Sequence, residues 1–219
     1  MEPMERIWLK NYPPGVPHDI DPNQYSSLTD LLETAFREHG NSPFSVCMDR
    51  WMSYKELDEL SKALGAWLQD KGLAPGSRVA IMLPNLPQFA VTMAAILRAG
   101  YTCVNVNPLY TARELQHQLK DSGATTIVIL ENFAATLQEV IEHVTIQHVV
   151  VASIGDLLGP WYGRWMTFAV RHLAKMVPEF ELPLDGGRTV TTFKKAIAKG
   201  RHLNLKATPQ TLDDIAFLQ

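Results

Sequence analysis

The sequence has 219 residues, 46% hydrophobic and 20% charged, the balance of an ordinary globular protein. Its formal net charge of −3 argues against a general nucleic-acid binder, whose surface is normally basic. The only two cysteines, Cys47 and Cys103, each lie in a strand-like apolar run and read as buried reduced thiols of a cytoplasmic protein.

The opening MEPMERIWLK carries acidic residues and no apolar stretch, so it is not read as a secretory leader. Polar and proline-rich sequence continues to Gln24, and a helix is expected from Leu28 to about His39, with Gly40 at its end. PFSVCMDRWM reads as a tight hairpin around Asp49 and Arg50. Ser53 and Glu56 have the spacing of a capping box, and Tyr54, Leu57, Leu60, Leu64, Trp67 and Leu68 then recur at helical spacing up to Gly72.

From Arg78 the pattern becomes regular. VAIML reads as a buried strand, followed by a helix to Arg98 capped by Asn85 with Gln88 as box partner. The uncharged run Val79–Leu97 approaches the roughly 20 residues of a membrane span, but Pro84, Asn85, Pro87 and Gln88 divide it into a strand, a turn and a helix. YTCVNV is a second strand, and Thr111 with Glu114 caps a helix to Gly123. TTIVIL is a third strand, a helix is expected from about Phe133 to His143, and IQHVVVA is a fourth strand. Four apolar strands separated by helices predict an α/β fold, a mainly parallel sheet with helices on both faces.

Residues 153–188 break this rhythm with an aromatic and basic insert. Within it, Trp161–Val177 is expected to form one amphipathic helix, with Arg164, Arg171 and Lys175 in a narrow stripe beside a broad apolar face. No Asp or Glu falls between Asp156 and Glu179. Trp161, Arg164, Trp165, Phe168, Arg171 and Lys175 are therefore candidate contacts to an anionic membrane surface. The alternative is a helix packed on the domain with its basic stripe in water. Regular structure resumes near Thr189, and LDDIAFLQ, ending at Gln219, reads as a fifth strand.

A self-contained catalytic site is not legible. There is no GxGxxG and no GxxxxGK[ST]. His143 and His148 lack a third nearby ligand, so satisfied histidines outweigh a metal site. Asp213 and Asp214 read as a solvated turn, and Asn107–Tyr110 as a structural turn on a loop of the kind where open sheets bind ligands. No catalytic, cofactor-binding or metal-binding residue is nominated.

The ordered series PGSRVAIMLPN, AGYTCVNVNPLY and ELQHQLKDSGA resembles the adenylate-forming enzymes, and WMSYKELDELSKALGAWL is similar to their early T-Y-x-E-L helix. The opening ERIWLKNYPPGVPHDIDPNQYSSLTDLLE and the insert ending KMVPEFELP resemble bacterial long-chain fatty acyl-CoA synthetases in particular. LDDIAFLQ is similar to the strand these enzymes place before a glycine-rich phosphate loop, Y-T-x-G-T-T-G-x-x-K-G. The resemblance therefore places that loop just after Gln219. It implies the first subdomain of their large N-terminal domain, incomplete here. This divides into an N-terminal arm, hairpin and helix (1–75), a parallel core (76–152), the insert (153–188) and a return to the core (189–219). It also implies a parent that uses ATP, Mg2+ and CoA to activate long-chain fatty acids, and a fragment that binds none of these and is inactive alone. The parent is expected in the cytoplasm, peripheral on the inner membrane. If the helix from Ser53 normally packs on an absent neighbour, its apolar face would be uncovered here and a homodimer would form. A non-catalytic lipid- or membrane-binding module, or part of a medium-chain or aryl acyl-CoA ligase, are the alternatives.

Overall fold

The computed structural model describes residues 5–219; residues 1–4, part of the opening read for a leader, lie outside the described residues. The chain forms α1 (Leu28–His39), β1 (Pro43–Cys47), β2 (Arg50–Ser53), α2 (Tyr54–Asp70), β3 (Arg78–Met82), α3 (Pro87–Arg98), β4 (Thr102–Asn105) and α4 (Ala112–Ser122). It continues through β5 (Thr126–Leu130), α5 (Ala134–Gln138), β6 (His148–Ala152), α6 (Pro160–Phe168), β7 (Thr189–Thr192), α7 (Phe193–Gly200) and β8 (Phe217–Leu218).

Strands β3 to β8 form one six-stranded sheet in the order β7-β6-β5-β3-β4-β8, with every pairing parallel. The expected strands are all present, and β7 is a sixth that the sequence reading leaves unassigned. Because successive side chains point to opposite faces, each strand feeds two cores. Val79, Ile81, Cys103, Val128 and Val150 pack under α2, α3 and α7, while Ala80, Met82, Val104, Ile127, Ile129 and Val149 pack under α4 and α5. β1 and β2 form a separate antiparallel hairpin, turned by Met48 and Asp49 at φ 48° and 61°. Both central residues therefore have the positive φ of the tight two-residue hairpin turn. Cys103 is buried and Cys47 only partly so, and both are free.

The helix starts show where local chemistry is readable. Thr111 and Glu114 form a complete capping box, and Gly123 ends α4 in the left-handed conformation at φ 64°. At Ser53 only half the box forms. The hydroxyl accepts from Glu56 N–H, but the Glu56 carboxylate turns to Arg50 at 2.7 Å.

Five further expectations need correction. Asn85 does not cap α3. Proline at the first helical position holds Leu86 extended, so the helix starts later and Gln88 becomes a buried residue of its first turn. The helix expected over Phe133–His143 breaks into α5 between two 3-10 turns, because Val140 leaves the helical region at φ −120° and faces the core beside Ile141. The helix expected over Trp161–Val177 ends early. α6 widens into a π turn at Ala169–Leu173, with Ala174 N–H donating to Ala169 O, and Lys175 at φ 52° stops it. The strand expected over LDDIAFLQ narrows to Phe217–Leu218. Asp214 ties the preceding residues into a turn by accepting from Thr211, and Gln219 lies exposed beyond the strand rather than within it. Finally, the face of α2 that motivates a homodimer is not uncovered: Leu57, Leu60, Leu64 and Trp67 are buried against α3 and α7.

Two devices hold these layers. Arg98, at the end of α3, is buried and donates to Glu33 (2.7 Å), to the Asp58 carbonyl (2.9 Å) and to Ser61 (2.8 Å), with Asp58 Oδ1 at 2.8 Å. It thereby joins α1, α2 and α3. The irregular segment before β8 is strapped across the same helix ends: Gln69 pairs with both backbone groups of Lys206, and Gln210 donates to Leu97 O. Where α7 meets α2, a Cβ on Gly200 would overlap the Ala63 carbonyl. Gly200→Ala is therefore expected to push the helices apart and lower unfolding free energy by about 1–3 kcal/mol in urea melts. An unchanged midpoint would show that the contact tolerates a methyl group.

Candidate functional site

Open parallel sheets bind ligands beyond the carboxyl ends of their strands, where neighbouring crossovers leave in opposite directions. Here β3 leads through α3 under one face, and β5 leads through α5 under the other. The switch point therefore lies between β3 and β5, flanked by the segments that follow β3, β5 and β6.

Gln88, just after β3, is wholly buried and donates from Nε2 to Ser153 O at 2.8 Å. Glu131, directly after β5, has a side chain only 2% exposed. Its Oε2 accepts from Arg171 Nε at 2.8 Å and from Arg171 Nη2, and Arg171 also reaches Ser153 Oγ at 3.3 Å. Asn132 donates to Met176 O at 2.9 Å. Asp156 accepts from Ser153 N–H at 2.8 Å and faces Lys194 at 3.5 Å. Burial pushes the Asp156 carboxyl above its ordinary value, with the Glu131 charge adding to the rise and the Ser153 and Lys194 contacts opposing it.

Three further acceptors, Gln88 Oε1, Glu131 Oε1 and Asn132 Oδ1, are buried without a partner among the described residues. The switch point is thus rich in acceptors, and its nearby cations, Arg171 and Lys194, are already engaged by Glu131 and Asp156. Such a setting repels phosphate, so these residues do not fit the triphosphate of ATP. Among the described residues no group of three or more His, Cys, Asp or Glu converges as a metal site. What the arrangement does is clip the insert to the sheet. The clip is tightened where the backbones of Gly155 and Gly163 touch, since a Cβ on either would overlap the other's carbonyl.

The residues singled out from sequence fall elsewhere. Asn107 accepts Leu109 N–H on its side chain at 3.0 Å, making a turn stabilised within itself. Asp214 accepts from Thr211 N–H and its hydroxyl, an exposed turn at the other end of the sheet. Gln219, the residue after which a phosphate loop is expected, follows β8 on the edge of the sheet. Because β8 runs parallel to β4, Gln219 lies at the carboxyl ends of the strands, the same end as the switch point, but β4 and β3 stand between it and that point. His143 is exposed, while His148 meets Thr189 Oγ1 at 2.8 Å. Of the six candidate membrane residues, Trp161, Arg164, Trp165, Phe168 and Lys175 are exposed and carry no ion pair among the described residues, whereas Arg171 is spent on Glu131. Sequence reasoning misses Gln88, Glu131 and Asp156. The available sign is a carboxylate placed directly after the uninterrupted apolar run TTIVIL.

Residues 32–219 match the family model described as AMP-binding enzyme. The chain belongs to that family. Among AMP-binding enzymes it is 42% identical over 217 residues to the long-chain-fatty-acid–CoA ligase of Salmonella typhimurium, covering 99% of this chain and 38% of that protein. The long-chain-fatty-acid-CoA ligase of Archaeoglobus fulgidus shares the fold with a TM-score of 0.63 at 22% identity, over 94% of this chain and 36% of that one. An anthranilate CoA ligase solved with anthranoyl-AMP superposes with a TM-score of 0.68 at 17% identity, over 90% and 33% of the two chains. This chain thus spans 38% of the length of its Salmonella relative. No helix among the described residues is long and apolar enough to cross a membrane.

The upward shift at Asp156 gives a pH test. When the folded state holds a carboxyl above its unfolded value, ionisation costs stability. That cost is absent in acid and grows as pH rises above the ordinary carboxylate range. Asp156→Asn keeps an acceptor for Ser153 N–H, so its stability relative to wild type should rise between acid and neutral pH in urea melts. A difference that stays flat with pH would refute the assignment.

Proposed function

We propose that this chain supplies the N-terminal part of an ATP-dependent ligase that converts long-chain fatty acids, through an acyl-adenylate, into acyl-CoA. The carrying observation is the 42% identity to a long-chain ligase across 99% of the chain, insert included. An aryl substrate is less well supported, because the anthranilate ligase shares the fold at only 17% identity. Under this reading the whole protein uses ATP, Mg2+ and CoA, while the residues present provide the scaffold. The acceptor-rich switch point supports that division, since phosphate charge must meet donors or metal supplied from elsewhere. A phosphate loop continuing from Gln219 would start at the correct end of the sheet to supply such donors.

The 219-residue protein is expected to show no fatty-acid-dependent exchange of pyrophosphate into ATP. Joined in frame to the remaining portion of a long-chain relative, it is expected to gain exchange that is faster with oleate than with octanoate or benzoate. Exchange by the 219-residue protein above a no-protein control would overturn the inactivity, and preference for benzoate would overturn the substrate class.

The proposed location is cytoplasmic and peripheral at the inner membrane, and its support is the exposed aromatic side of the insert. A homodimer loses its original support at α2. The exposed Val46, Met48 and Trp51 of the hairpin offer another face for it. Light scattering should then show a dimer that Trp51→Glu converts to monomer, and a wild-type monomer at high concentration would exclude this.

A further inference from the structure

α6 is held so that it cannot turn its aromatic residues inward. Gly163 and Val170 face the domain, and the Gly155 backbone sits against Gly163 with no room for a side chain between them. On the opposite side, Trp161, Trp165 and Phe168 follow at spacings of four and three, the spacing of one helical stripe. They are 82%, 57% and 52% exposed. Solvent exposure of three large rings in a row is unusual for a surface with no partner.

Charge indicates the partner. Arg164 falls 60° from Trp161 around an ideal helix, beside the stripe, and Lys175 follows the π turn. Both are exposed and make no ion pair among the described residues, and no carboxylate occurs from Leu157 to Pro178. Arg171 differs, since its guanidinium is turned back onto buried Glu131. Aromatic rings flanked by free cations and devoid of acids match an anionic lipid interface.

We propose that α6 docks on an anionic bilayer through a preformed stripe of Trp161, Trp165 and Phe168. Arg164 and Lys175 meet lipid phosphates, and Arg171 serves as the latch that fixes the direction of the stripe. This rests on the peripheral-membrane reading above and assigns its contacts. It differs from a floating amphipathic helix in that no folding accompanies binding and one of the three basic residues never touches lipid.

The test uses phosphatidylcholine vesicles with and without phosphatidylglycerol, sedimented with the 219-residue protein and with the intact ligase described above. Both proteins should bind the anionic vesicles at low salt and release them at high salt. Trp161→Ala with Trp165→Ala should weaken binding on the order of tenfold. Arg164→Gln and Lys175→Gln should each weaken it about fivefold and flatten its salt dependence. Arg171→Gln should leave the salt dependence unchanged, because that guanidinium is engaged by Glu131 and not by lipid. Trp161→Phe and Trp165→Phe, which preserve an aromatic ring, should each remove part of the fluorescence quenching by brominated lipid.

Failure of wild type to sediment would overturn the membrane reading itself. Binding unaffected by the tryptophan changes would leave that reading and overturn the stripe. A salt dependence flattened by Arg171→Gln would overturn the latch, since it would place that guanidinium on lipid. Binding by the short protein but not by the intact ligase would show the stripe covered by protein. Concentration-dependent self-association abolished by the tryptophan changes, without vesicle binding, would identify a second copy as the partner. Either of these last two outcomes overturns the proposal.

Discussion

Parallel strands joined by helical crossovers leave neither face of the sheet to water, and the rest of this fold follows from that requirement. β5 has no exposed residue at all, and its side chains alternate between the two cores. At about 1.5–3 kcal/mol for each large apolar side chain buried, the two cores dominate every polar contact in the molecule. Polar devices instead select among arrangements. Arg98 is an example, because its partners on α1 and α2 set the angle at which already apolar surfaces meet.

That division of labour explains what is legible in the sequence. β3, β4, β5 and β6 are continuous apolar runs bounded by glycine, proline and polar residues, and their order alone specifies the α/β class. The capping box at Thr111 is legible because all its parts lie within four residues. At Ser53 the same local pattern is diverted by Arg50, which belongs to the preceding hairpin, and spacing carries no trace of that competition. The burial of α2 depends on α7, contributed by a distant segment, so a face that looks orphaned has a cover. β8 is short for a related reason: only Cys103 and Val104 of β4 lie opposite it, and the apolar run from Ile215 to Leu218 gives no sign of where that pairing starts.

The candidate site is less legible, for the same reason in sharper form. Glu131, Gln88, Asp156 and Arg171 come from four separate segments, and only the topology assembles them. The pair between Glu131 and Arg171 is strongly asymmetric, with the carboxylate dehydrated and the guanidinium half in water. Removing the arginine would strand a buried charge, a cost of about 3–5 kcal/mol where the pair is fully enclosed and less here. A helical wheel counts Arg171 among the free cations because it assumes an unbroken α-helix. The π turn alters the phase at that residue, and the buried acid supplies a reason for the arginine to face inward.

The contact between Gly155 and Gly163 reaches beyond packing. Each glycine occupies the volume that the other's side chain would need, so a larger residue at one position cannot be accommodated by shrinking its neighbour. Most packed pairs can exchange volume over evolutionary time, one side chain growing as the other contracts. This pair has nothing left to contract. Divergence at either site must therefore wait for the backbone itself to separate, and relatives that lost one glycine should carry an insert seated at a different height above the sheet.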